Sequence, residues 1–248
     1  MKRLRLRAPR PAGGQMTVIE HLAELRYRLI VSVVAIAVTS IVCFILSPRI
    51  ISFFVRYYTD ATDGTRDALI FTGPLDAFVT RLKIATYGGI VLAVPVWLYQ
   101  LWRFITPALD PKEKRYAIPF VLSSIVLFAL GAFVAIQSLP KALEFLLGVG
   151  GPELQPLLTA DKYIGLVSLM ILAFGIAFEF PIVLVFLLLA RAVTTQQLRK
   201  WRRAAAVIIV VFAAVITPSQ DPYSLAFMAV PMYIFYELAI LLGRVLKR

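Results

Sequence analysis

The sequence predicts an all-α membrane protein of six transmembrane helices with both termini in the cytoplasm. Three observations carry that prediction. Of 248 residues, 60% are hydrophobic and only 16% are charged, against about 25% charged in soluble domains. The apolar residues gather in long uncharged blocks. The basic residues gather in alternate connections between those blocks.

The blocks come in order. Leu29–Leu46 runs 18 residues without a charge, Ile84–Trp102 runs 19 and Tyr116–Leu139 runs 24. Leu172–Ala190 is interrupted only by Glu179. Ala204–Thr217 and Tyr223–Tyr236 are shorter, at 14 residues each. Crossing the hydrocarbon core takes about 20 helical residues. Spans are therefore expected near 29–47, 84–104, 116–138, 163–190, 204–217 and 223–243, the last two short, within a membrane domain covering 17–248. With the N-terminus inside, 19 of the 26 Lys/Arg fall on the cytoplasmic side. The outer side keeps seven, balanced by acids such as Asp60, Asp63, Asp67, Asp76 and Asp161. This asymmetry is an orientation signal.

Residues 1–16 form a basic segment without an apolar core or small-residue cleavage site, expected to be a disordered cytoplasmic tail rather than a signal peptide. Thr17-Val18-Ile19-Glu20 has the capping-box form, so a helix should begin there and run along the interface into the first span. "PRIISFFVRYY" is amphipathic and predicts a second interfacial helix. Gly73-Pro74 predicts the start of one long second helix ending near Ile105, about 48 Å at 1.5 Å per residue. "TPSQDP" is short enough to force the last two helices into a tight hairpin. Prolines 95, 119, 181 and 231 interrupt the spans, and such interruptions kink helices.

Several chemistries are excluded or unsupported. Cys43 is the single cysteine, so no disulfide forms within the chain. His21, the single histidine, has no companion for a metal site. No Gly-x-x-x-x-Gly-Lys phosphate loop is present, and no histidine lies at depth to serve an intramembrane serine protease. The net charge of +12 is explained by orientation rather than nucleic acid. No catalytic residue, metal or cofactor is expected.

Four stretches in order carry a family resemblance. "HLAELRYRL" resembles the N-terminal His-Leu-x-Glu-Leu-Arg helix of the TatC family, the multi-spanning subunit of the twin-arginine protein translocase. "LYQLWRFITPALDPKEKR" resembles that family's first cytoplasmic loop. "FGIAFEFPIVL" resembles its fourth span, and "TPSQDP" followed by "AVPMYIFYE" its last hairpin. The resemblance runs from about Thr17 to Gly243. One departure is "GPLDAF", where Asp76 stands in place of an expected glutamate. The resemblance implies kinked helices around a concave face and a plasma-membrane location. It implies recognition of Arg-Arg signal peptides on folded cargo, and TatA/TatB-type single-span partners. It also implies a homo-oligomer within a larger complex.

A site that tells Arg-Arg from Lys-Lys needs fixed carboxylates, because the guanidinium fork binds them bidentately and ammonium does not. The cytoplasmic candidates are Glu20, Glu24, Asp110 and Glu113. The resemblance selects Glu113 and Glu24 and adds Phe104 and Arg26 to the same surface. Plainer readings stand beside these. Glu113 can cap a helix with Asp110, Glu24 can pair with Arg28 at i,i+4, Phe104 can be an interface aromatic, and Arg26 can snorkel.

Glu179 sits within a span, where a charge at the bilayer centre costs at least ~3 kcal/mol. It therefore faces a wet concavity, where it would engage partner helices, or is neutral and bonded to a neighbouring helix. Thr217 and Gln220, with Ser219, are expected to offer hydrogen bonds to a docking partner. A secondary transporter predicts an inverted repeat and several midplane polar groups; no repeat is seen, and the midplane is nearly bare apart from Glu179. A membrane scaffold or insertion factor differs mainly in lacking Arg-Arg selectivity.

Overall fold

The computed structural model describes residues 18–61, 69–105, 117–151 and 158–245. These residues form helices α1 (Val18–Ala61), α2 (Asp76–Leu92), α3 (Val94–Ile105), α4 (Ala117–Gly148) and α5 (Ala160–Ala177). They continue as α6 (Phe180–Leu189), α7 (Thr195–Lys200), α8 (Arg202–Ile216) and α9 (Pro222–Val245). Four stretches are long and apolar enough to cross a membrane: α1, α4, α5 joined to α6, and α9. The bent pair of α2 and α3 makes a fifth. At 15 residues, α8 is about 22 Å long. The surface carries many exposed apolar side chains, among them Val34, Ile41, Ile45, Ile118, Val126, Val207 and Val215. Lipid is the solvent that tolerates such a surface.

Two elements differ from the sequence prediction. The segment after Pro48 is not a separate interfacial helix, since α1 continues through the proline to Ala61. Packing holds it there: Tyr58 is buried against Tyr163 of α5, with ring centroids 5.7 Å apart. The Tyr163 hydroxyl also donates to the Phe54 carbonyl at 2.7 Å. The second helix is not one straight rod. It starts at Asp76, after a turn, and bends by 50° between α2 and α3. Pro95 cannot donate a backbone bond and disfavours helical geometry at the residue before it. The indole N–H of Trp97 bonds back across the bend to the carbonyl of Ile90 at 3.1 Å.

At the start of α2 the shorter Asp76 side chain folds back on its own turn. It accepts from the Thr72 N–H at 2.8 Å, the Thr72 hydroxyl at 2.9 Å and the Gly73 N–H at 2.9 Å. These bonds hold its carboxyl below the usual aspartate range. Nearby, Lys83 of α2 pairs with Asp161 of α5 at 2.6 Å, and Ala160 N–H bonds the Ile70 carbonyl at 2.8 Å.

The core mixes small and branched aliphatic side chains with aromatic and sulfur-bearing ones, including Tyr163, Phe174, Phe178, Met170, Met228 and Met232. Close helix approach is set by small residues, as in other membrane bundles. A Cβ at Gly131 of α4 would lie 2.4 Å from the Phe174 carbonyl oxygen of α5. On the other flank, the Thr39 hydroxyl of α1 donates to the Gly89 carbonyl of α2 at 2.7 Å. The fourth span breaks at Phe178–Glu179, where Pro181 opens α6. The proline there fits the predicted kink.

Candidate functional site

The helix ends that the charge pattern assigns to the cytoplasm are the start of α1, the end of α3, the start of α4, the end of α6, the start of α8 and the end of α9. Glu24 and Arg28 stand one turn apart on α1, within the "HLAELRYRL" stretch. Arg28 donates to Glu24 Oε1 through Nε at 3.0 Å and also through Nη2. Its Nη1 reaches Gln100 Oε1 of α3 at 3.3 Å. The pair is shielded, with side-chain exposures of 11% for Arg28 and 19% for Glu24. The second carboxylate oxygen, Glu24 Oε2, is buried and has no hydrogen-bond partner among the described residues.

The same end is tied together by an aromatic contact. The His21 ring of α1 stacks on Phe104 of α3 with centroids 4.4 Å apart and planes 12° from parallel. Below these residues lies an apolar groove of about 500 Å³ between α1, α3 and α5. Leu25, Leu29, Val33 and Ile36 form one wall, and Trp97, Leu101 and Phe104 form another. Leu172 and Ile176 of α5 also line it, and Arg28, Ser32 and Gln100 are its polar lining. Arg26 is exposed; two residues from Glu24, it projects about 200° away around the helix. Glu113 and Asp110, like the Thr17 cap, lie outside the described residues.

A second polar point lies deeper. Glu179 is half-buried at the break between α5 and α6. Ser124 of α4 lies beside its carboxyl, and Glu179 Oε1 is buried and unpartnered among the described residues. Ser124, itself fully buried, also accepts from the Trp102 indole N–H of α3 at 2.7 Å. Ser124 thus lies between Trp102 of α3 and Glu179 at the α5–α6 break. Sequence reading overlooked Ser124, Trp102, Arg28 and Gln100 as site components. The signals were a Ser-Ser pair inside an otherwise apolar span and, for Arg28, the i,i+4 spacing from Glu24.

At the turn between α8 and α9, Thr217 corrects an expectation. It is buried, and its hydroxyl points inward to Met228 Sδ at 3.7 Å. Ser219 is also turned inward, bonding Asp221 at 2.5 Å. Asp221 in turn caps α9 through the Ser224 N–H at 2.7 Å. The turn between helices must close over the α9 N-terminus, and these side chains close it. Of Thr217, Ser219 and Gln220, Gln220 alone is exposed, in a left-handed backbone conformation with φ of 48°. At the opposite end Glu237 of α9 pairs with Arg202 of α8 at 2.5 Å.

Comparison with known proteins places this arrangement. The profile of the Sec-independent protein translocase protein (TatC) family matches residues 20–231. The chain belongs to the TatC family. It is 43% identical over 240 residues to the TatC protein of Frankia casuarinae, covering 93% of this chain and 66% of that relative's length. With the TatC protein of Aquifex aeolicus it shares 41% identity over 236 residues, covering 94% of this chain and 97% of the relative. The fold superposes on the crystal structure of the twin arginine translocase receptor TatC with a TM-score of 0.76 at 41% identity. That likeness covers 92% of this chain and all of the other. The chain is therefore a multi-pass membrane protein of the Sec-independent, twin-arginine protein translocase.

Proposed function

We propose that this chain is the receptor that reads Arg-Arg signal peptides at the cytoplasmic membrane face, with Glu24 and Glu113 as arginine ligands. The observation that supports this most is the Glu24 carboxylate, with one oxygen unpartnered, paired with Arg28, which lines the groove between α1, α3 and α5. A signal peptide combines a positive end with an apolar stretch. The carboxylate suits the guanidinium, and the groove suits the apolar residues that follow. Phe104 adds an aromatic wall and Arg26 an exposed positive point on the same end. The chain acts by binding and transport rather than as an enzyme.

Six spans with both termini cytoplasmic, in a bacterial or archaeal plasma membrane, accommodate this site, with α8 as a short fifth span. TatA/TatB-type single-span proteins dock along α8 and α9, where Val207, Val211 and Val215 present an apolar face and Gln220 an exposed amide. Glu179 supplies a polar point for partner helices during transport. Several copies assemble within the larger complex.

The test is binding of Arg-Arg and Lys-Lys signal peptides to the purified protein in lipid nanodiscs. Glu113→Ala should abolish selective binding. Glu24→Ala should weaken it by about 10- to 100-fold, the equivalent of losing a charge-assisted bond of ~1.5–3 kcal/mol. Undiminished discrimination in the double variant, still folded, refutes the reading.

A further inference from the structure

We propose that the groove between α4, α6 and α9 is a site for an anionic phospholipid of the cytoplasmic leaflet, with an acyl chain in the groove and the phosphate on Arg191. The inference uses the orientation given above but not the peptide-reading role. The groove holds about 470 Å³ and is walled by side chains drawn from residues 119–127 of α4, 181–189 of α6 and 235–242 of α9. Ser123 is the one polar side chain in that lining.

The extent of the groove decides between occupants. Each wall covers seven or eight residue steps, about 10–12 Å at the helical rise. That is less than half of a ~30 Å hydrocarbon core. Residues 119, 189 and 242 stand at helix ends that the charge pattern assigns to the cytoplasm. At the other end Phe235 meets Phe178, which closes α5 before the break, ring edge to face with centroids 5.4 Å apart. The groove therefore lies within one leaflet. A partner's transmembrane helix is about 10–12 Å across with its side chains and needs a track along both leaflets. A flexible hydrocarbon chain fits a short apolar slot.

A cation stands at the mouth at a conformational cost. Leu189, the last residue of α6 in the lining, is followed by Ala190 and Arg191. The helix ends in a Schellman motif, with Ala192 N–H on the Leu187 carbonyl at 3.0 Å and Arg191 N–H on the Leu188 carbonyl at 3.2 Å. Arg191 takes the position after the cap, left-handed at φ 57°. Glycine is the usual residue there, because it lacks the Cβ that resists this conformation. A large side chain kept in such a place points to a use for that side chain. The turn is fixed beside α9, since a Cβ at Gly243 would run into Leu188 and Thr195, which bracket Arg191. Arg191 is exposed and has no ion pair among the described residues. Guanidinium binds phosphate through a charged fork, so a lipid seated in the groove meets an unpaired, matched cation two residues beyond its wall.

The probe is phosphatidylglycerol with a photoreactive diazirine on its acyl chain, added to the full chain purified in detergent, with crosslinks mapped by mass spectrometry. Crosslinks should fall in the three lining stretches. Unlabelled phosphatidylglycerol should displace them at about fivefold lower concentration than phosphatidylcholine, the ~1 kcal/mol that one basic residue contributes beside anionic lipid. Arg191→Gly and Arg191→Asn both suit a left-handed backbone and should bring that ratio close to one. Arg191→Gly should not melt below the parent in lipid-free detergent, because it relieves the turn. Ser123→Phe, at an exposed position on the groove wall, should lose the groove crosslinks by filling the space. A ratio that survives both Arg191 variants, crosslinks confined to other parts of the chain, or groove crosslinks untouched by Ser123→Phe overturns the proposal. So does displacement by a single-span partner and not by phosphatidylglycerol, which makes the groove a protein interface. Binding in detergent is indifferent to which side of the membrane the groove faces, so an error in topology shows in cysteine labelling and not here.

Discussion

Gly131→Ala is the sharpest test of the packing that positions Glu179. In an exposed helix the change should stabilise, since alanine is the better helix former by about 1 kcal/mol. Here the added Cβ would sit 2.4 Å from the Phe174 carbonyl oxygen and 2.8 Å from its carbon, both backbone atoms of α5. An ordinary contact starts near 3.4 Å, so α4 and α5 must part by roughly 1 Å, an overpacking that costs about 1–3 kcal/mol. The backbone cannot rotate aside as a side chain would. Gly148→Ala is the matched control, because nothing lies within 4 Å of a Cβ placed there. Thermal unfolding of both variants in one detergent should show a lower midpoint for Gly131→Ala. Gly148→Ala should stay near the parent, within about 0.5 kcal/mol. The strain also falls two turns from Ser124, so Gly131→Ala should impair transport more than its loss of stability alone explains. A Gly131→Ala protein as stable as the parent, or more so, refutes the close α4–α5 contact.

Three further outcomes are expected. In a Cys43→Ala background, single cysteines at Thr65, Glu113 and Gln220 should be labelled by an impermeant reagent from outside, inside and outside; outside labelling at 113 overturns the topology. Photo-crosslinkers at Val215 and Phe227, both exposed, should capture a single-span partner, whereas one at buried Ala213 should not; capture confined to α1 and α4 would move the docking edge. Glu179→Gln should leave Arg-Arg peptide binding near that of the parent while lowering transport or partner association, and Glu179→Leu should do so more strongly. If both transport like the parent, Glu179 has no part in transport.

What the sequence revealed and what it hid divide along the range of the interactions involved. The apolar blocks and the basic connections are imposed by the bilayer, a solvent common to every residue, so each block can be read on its own. The break in the fourth span could be read from Pro181 in the same local way. Pro95 likewise marked a weak point, but nothing nearby in sequence said that Trp97 would turn back to Ile90 and make a 50° bend stable. The helix beyond Pro48 looked interfacial because its own pattern is amphipathic, yet its partner is Tyr163, 109 positions away from Phe54. The candidate site divides in the same way. Glu24 and Phe104 were visible as residue types within recognisable stretches. The Arg28–Gln100 bond spans 72 positions, and no periodicity links its ends. Thr217 shows the reverse error: a polar cluster at a helix end reads as a surface to be met. Here the α9 N-terminus needed capping by Asp221, and the neighbouring hydroxyls turned inward with it. In a membrane an unsatisfied polar group is costly, so a chain's polar residues serve its own backbone before they are free for a partner. Gln220, whose side chain is left exposed by that closure, is the residue at this turn that remains available to one.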